Sequence, residues 1–117
     1  MASKLVKMKS IKKYQLSKIE SELNYQLAAE CVGRELKELS DVKILMLVYE
    51  KYYVRNDSYA ALTILITEYQ DEQRVELISA GGKNTFFSFG AEGDFVSKAE
   101  SILRRLDFSW DYEKIVK

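Results

Sequence analysis

The chain has 117 residues, 47% hydrophobic and 31% charged, and its 18 Lys plus Arg balance 18 Asp plus Glu. This length suits one domain with a real core, and the composition excludes a disordered chain. A net charge of zero provides no global field to attract nucleic acid or an anionic membrane.

Histidine and proline are absent and there is one cysteine, Cys31. Without histidine, Ser-His-Asp and Cys-His mechanisms are unavailable and zinc loses its usual nitrogen ligand. No cofactor is expected. A single cysteine forms no internal disulfide, which points to a reducing cytoplasm. No apolar run reaches the ~18 residues of a membrane span, and the N-terminus lacks the apolar segment of a secretory signal.

Lys4, Lys7, Lys9, Lys12 and Lys13 make the start basic, with no acid before Glu20. Residues 1–10 therefore read as a loose, solvated N-terminus, although Leu5-Val6 can open a small strand. From about Tyr14 to Glu30 the pattern is helical: Leu16, Ile19, Leu23 and Leu27 share a face. Gly33 is the expected stop, as a glycine C-cap. Residues 32–39 fit either a strand or a helical turn.

Lys43–Tyr53 reads as a strand with Ile44, Met46 and Val48 on one face and Leu45, Leu47, Tyr49 and Tyr53 on the other. Both faces are apolar, so both want a cover. Arg55–Ser58 is a turn. Tyr59–Glu68 and Arg74–Ala80 alternate in the same way and are joined by the polar turn Gln70–Gln73. Turns this short dictate an antiparallel meander. Thr85–Phe89 is expected to be a short fourth strand and Gly90–Gly93 a loop. Asp94 then caps a helix over about 94–106, built on Phe95, Val96, Ala99, Ile102, Leu103 and Leu106. Residues 107–117 read as a tail.

No motif in the chain demands a particular chemistry. Gly81-Gly82-Lys83-Asn84 follows a strand and can present backbone amides to an anion with Lys83 as a point charge, but it lacks P-loop spacing. Tyr49 and Tyr53 lie among strand aromatics that suit ordinary packing, a dimer interface or a pocket. The candidate binding residues are thus Tyr49, Tyr53, Gly81, Gly82, Lys83 and Asn84. There is no candidate catalytic or metal-binding residue. Cys31 reads as a small packed hydrophobe.

Taken in order, Val48-Tyr49-Glu50-Lys51-Tyr52, Leu62-Thr63-Ile64-Leu65-Ile66, Ile78-Ser79-Ala80-Gly81-Gly82, Phe86-Phe87 and Gly90…Glu92…Phe95 resemble a family of small bacterial proteins known as a domain of unknown function. The resemblance covers about residues 42–106 and departs at Lys83. It implies a fold and a bacterial, cytosolic origin, and no activity.

Together these readings give a single α+β domain over residues 1–117: an N-terminal helix, an antiparallel meander of three to four strands, and a C-terminal helix packed on one face of the sheet. The expected role is a non-enzymatic domain that forms a homo-oligomer, a dimer, or binds a protein partner through its sheet. The alternative is a small apolar ligand held between sheet and helices. Neither nucleic acid nor a membrane is an expected partner.

Overall fold

The computed structural model describes residues 3–11, 14–54, 57–81 and 85–116; the side chains of residues 3–4, 58, 81, 85–94 and 112–116 are outside that description. The elements are β1 (Ser3–Ile11), α1 (Leu16–Gln26), β2 (Glu30–Glu38), β3 (Val42–Tyr53), β4 (Ser58–Tyr69), β5 (Glu72–Gly81), α2 (Thr85–Arg105) and β6 (Ser109–Val116). They form a six-stranded antiparallel sheet in the order β2-β3-β4-β5-β1-β6.

The class is α+β, as the sequence predicts, but the element positions differ. The basic N-terminus is not loose. It is β1, an inner strand paired with β5 on one side and β6 on the other. Its sequence alternates Val6, Met8 and Ser10, all buried, with Lys7 and Lys9, which pair with Glu76 and Asp111. The lysines are therefore the outward half of a strand pattern. The expected tail is likewise β6, an edge strand.

The meander has four strands, because residues 30–38 are β2. Its hairpins are tight: Leu39 and Val42 exchange backbone hydrogen bonds around Ser40-Asp41, and Tyr69 pairs with Glu72 around Gln70-Asp71. Of the turn expected at Arg55–Ser58, Arg55 and Asn56 lie outside the described residues. Asp57 has φ 49° and donates its N–H to the Val54 carbonyl.

Helix α1 stops at Gln26, well before Gly33. Ala28 supplies the left-handed residue after it, at φ 54°, whereas Gly33 sits inside β2 opposite Val48, where the strand bulges. Helix α2 starts at Thr85, so the expected short strand at Thr85–Phe89 and the loop at Gly90–Gly93 are both helical. It ends in a Schellman motif: Phe108 N–H bonds to the Leu103 carbonyl and Asp107 N–H to that of Arg104, with Asp107 at φ 71°. Phe108, the residue after that turn, is buried.

Both helices lie on one face of the sheet. Ile19, Leu23 and Leu27 of α1 and Phe95, Val96, Ala99, Ile102 and Leu103 of α2 join one core with Leu45, Leu47, Leu62, Ile64, Ile66, Val75, Leu77, Val6 and Met8. Each fully buried aliphatic side chain here contributes about 1.5–3 kcal/mol by leaving water. A polar clamp closes one end of this layer. Gln73, buried, donates through Nε2 to the Tyr14 carbonyl at 2.9 Å and to Glu68 Oε1 at 2.8 Å, fixing the chain where it enters α1.

Candidate interaction surface

With both helices on one face, the other face of the sheet is left open. The residues pointing there follow from strand period and register. On β3 they are Val42, Ile44, Met46 and Val48. The matching positions of β4 are Thr63, Leu65, Thr67 and Tyr69, and Ile78 of β5 and Leu5 of β1 extend the surface. Met46, Ile78 and Tyr69 are 36%, 42% and 43% exposed, high values for apolar or aromatic side chains in strand interiors and at a strand end. Tyr52 and Tyr59 meet at one end of this face in a tilted pair, with ring centroids 5.1 Å apart. The Tyr52 hydroxyl donates to Asp57, and that bond raises its pKa.

Charges border the apolar strip. Glu35 and Lys37 of β2 flank it on one side. On the other side Arg74 pairs with Glu72 at 2.5 Å and Lys7 with Glu76 at 3.4 Å. A cleft of about 230 Å³ opens among Lys7, Thr67, Tyr69, Arg74, Glu76 and Asp111.

The β2 edge of the sheet is less inviting. β2 is exposed along nearly its whole length, but it carries Glu30, Arg34, Glu35, Lys37 and Glu38 and a bulge between Cys31 and Gly33. Charges and bulges are the devices that keep an edge from pairing with another chain. Arg34 is also tied back to Glu20 of α1 at 2.6 Å, a bond that raises the guanidinium pKa.

The candidate residues read from sequence do not gather on the open face. Tyr49 is fully buried beneath the helices, and its hydroxyl donates to Asn24 Oδ1. Tyr53 packs edge-on against Phe95 with centroids 6.4 Å apart. The covered face of β3 is therefore the one bearing Leu45, Leu47 and Tyr49, and the face that lacks a cover is that of Ile44, Met46 and Val48. Gly81 ends β5 opposite Ala60. Gly82, Lys83 and Asn84 lie outside the described residues. Cys31 is exposed, not packed, and its thiol donates to the Gly33 carbonyl at 3.4 Å. Leu65 and Ile78 went unnoticed as site residues because strand alternation marks two faces without saying which one the helices take.

Other clefts lined by described residues sit at one end of the sheet. One of about 600 Å³ is bounded by Lys9, Ser10, Ile11, Asp71, Glu72, Asp107 and Ser109. Another of about 290 Å³ lies at the start of α1, beside Lys43 and Glu68. Both are dominated by polar side chains. Among the described residues, no group of three or more His, Cys, Asp or Glu is placed to hold a metal ion, and no helix is long and apolar enough to cross a membrane.

Fold and surface together define an α+β protein with a six-stranded antiparallel sheet, two helices on one face and an apolar strip on the other. The chain belongs to the family of unknown function DUF6054, whose profile matches residues 1–107. That match takes in β1, α1 and β2 as well as β3 to β5, and so reaches well beyond the residues that carry the resemblance in sequence. No curated protein matches the chain.

Proposed function

We propose that this protein is a non-enzymatic interaction domain that self-associates through the open face of its sheet. One observation carries the reading. A face bearing Ile44, Met46, Val48 and Leu65 in its centre has no helix over it among the described residues, while the opposite, more apolar face has two. Contiguous exposed apolar surface of this kind marks association sites on soluble proteins. The neutral overall charge removes the long-range repulsion between copies that a strongly charged chain would carry.

A bacterial cytoplasm is the setting we infer, supported by the family resemblance and by the free, exposed thiol of Cys31. The absence of histidine from the sequence supports a non-enzymatic role.

Light scattering over a hundredfold concentration range, paired with native mass spectrometry of the same sample, tests the proposal. The expected result is a dimer with no added mass. A monomer that persists to high micromolar concentration overturns it. A monomer carrying a bound small molecule overturns it in favour of an apolar-ligand binder.

A further inference from the structure

The β2 and β5 charges that border the open face form a pattern that one kind of two-fold axis satisfies and another violates. In the cross-strand row through Met46 and Leu65, the flanking residues are both acids, Glu35 on β2 and Glu76 on β5. In the adjacent row through Ile44 and Thr67, the flanking residues are both bases, Lys37 and Arg74. Acid and base thus alternate along β2 and along β5, while β2 and β5 carry like charges within each row; on β1, beyond β5, the same two rows hold Lys7 and Lys9.

We propose that a second copy of this chain covers the face, related by a two-fold axis that lies in the interface, runs perpendicular to the strands and passes between these two rows. This rests on the self-association reading above. Rotation about such an axis exchanges the rows and keeps each strand over its own counterpart. Glu35 then faces the partner's Lys37, Arg74 faces the partner's Glu76, and Met46 packs on the partner's Ile44; on β1, Lys7 comes opposite the partner's Lys9, the one like-charge contact this axis makes in these two rows. One row further out, Val48 meets the partner's Val42, so the apolar strip also closes on itself.

An axis parallel to the strands does the reverse. It keeps the rows and exchanges the strands, setting Glu35 against Glu76 and Lys37 against Arg74, like on like. Like charges brought together across an interface are a strong discriminator against a docking mode.

The existing Glu72–Arg74 and Lys7–Glu76 pairs do not stand in the way. Their side chains are about 40–50% exposed, and such pairs hold their geometry weakly. At spacings of ~4.8 Å between strands and ~6.8 Å between alternate residues, four rows across five strands present roughly 650 Å² per chain. That approaches the ~800 Å² per partner of a standard interface.

The test is sedimentation equilibrium of the full chain under reducing conditions, so that Cys31 forms no intermolecular disulfide. The expected wild type is a dimer. Leu65→Glu, checked for native far-UV circular dichroism, should be monomeric, with Met46→Glu as the second variant if the first fails to fold. Glu35→Lys should weaken the dimer about tenfold, from exposed pairs lost and made repulsive twice over. The swapped double variant E35K/K37E should restore wild-type affinity, because the exchanged charges still face each other across the proposed axis.

If the swap instead binds more tightly than wild type, it has set a lysine opposite Glu76, and the parallel axis holds. That result, or a dimer indifferent to Glu35→Lys, overturns the proposed axis and leaves self-association through the face standing. A dimer that survives both Leu65→Glu and Met46→Glu, or a wild type that never dimerises, overturns both.

Discussion

Tyr49 shows how far one side chain's role is set by the layer it falls in. It alternates with Met46 and Val48 along β3, yet it is buried while they are partly open. Burial raises its pKa well above the ordinary tyrosine value, with the charges of Cys31 and Glu20 adding to the effect. In the unfolded chain the phenol ionises near pH 10, whereas the folded protein holds the proton. The contribution of Tyr49 to stability is therefore complete below pH 10 and falls as pH rises above it. Between pH 10 and 11.5 the melting temperature of the wild type should drop about 3 °C per pH unit more steeply than that of Tyr49→Phe. Parallel slopes would mean that the hydroxyl is open to solvent. At neutral pH the same substitution should cost about 1 kcal/mol, through the lost bond to Asn24.

At the scale of elements, the strands β3, β4 and β5 are legible because short apolar, β-branched-rich runs lie between polar turns, with polar residues alternating in where one face is less apolar. β1 follows the same rule, but its outward half is lysine, and a run of lysines at a terminus resembles a solvated end. The acids that neutralise it, Glu76 and Asp111, are distant in sequence. In β2 the bulge lies near the start, between Cys31 and Gly33, and beyond it charged residues occupy both faces of an exposed edge, so no apolar period shows. At the start of α2, the strand preference of Phe86, Phe87 and Phe89 and the helix-breaking tendency of Gly90 and Gly93 are overridden.

The open face was half legible. Its residues could be read from alternation, but their exposure depends on where two helices dock. That β1 is structural is directly testable. Val6, which is fully buried opposite Leu77, becomes a buried carboxylate in Val6→Asp. Urea titration should show a loss of about 4 kcal/mol or outright unfolding, whereas a loss under 1 kcal/mol would restore the picture of a loose N-terminus.

The whole molecule measures 43 × 25 × 24 Å, with its helices and its open apolar strip on opposite sides of one sheet. If two copies shelter that strip, folding and association are linked, and stability depends on concentration. Raising the protein from 2 to 200 μM, about a hundredfold, should lift the melting temperature of the wild type by about 4 °C and leave that of Leu65→Glu unchanged. Differential scanning calorimetry at the two concentrations decides it, and an equal shift in both proteins would indicate a contact elsewhere.

The place of β1 in the sheet also governs the order in which a growing chain can be completed. Lys7 pairs with Glu76, 69 positions later, while β2 to β5 pair with neighbours across tight hairpins. β1 thus waits until β5 exists, and joins across a long loop whose closure costs entropy before any contact rewards it. Until β1 docks, Val6, Met8 and the unpaired edge of the newly made β5 are exposed together. Such an edge recruits other chains as readily as its own, and the lysines of β1 keep that waiting strand soluble.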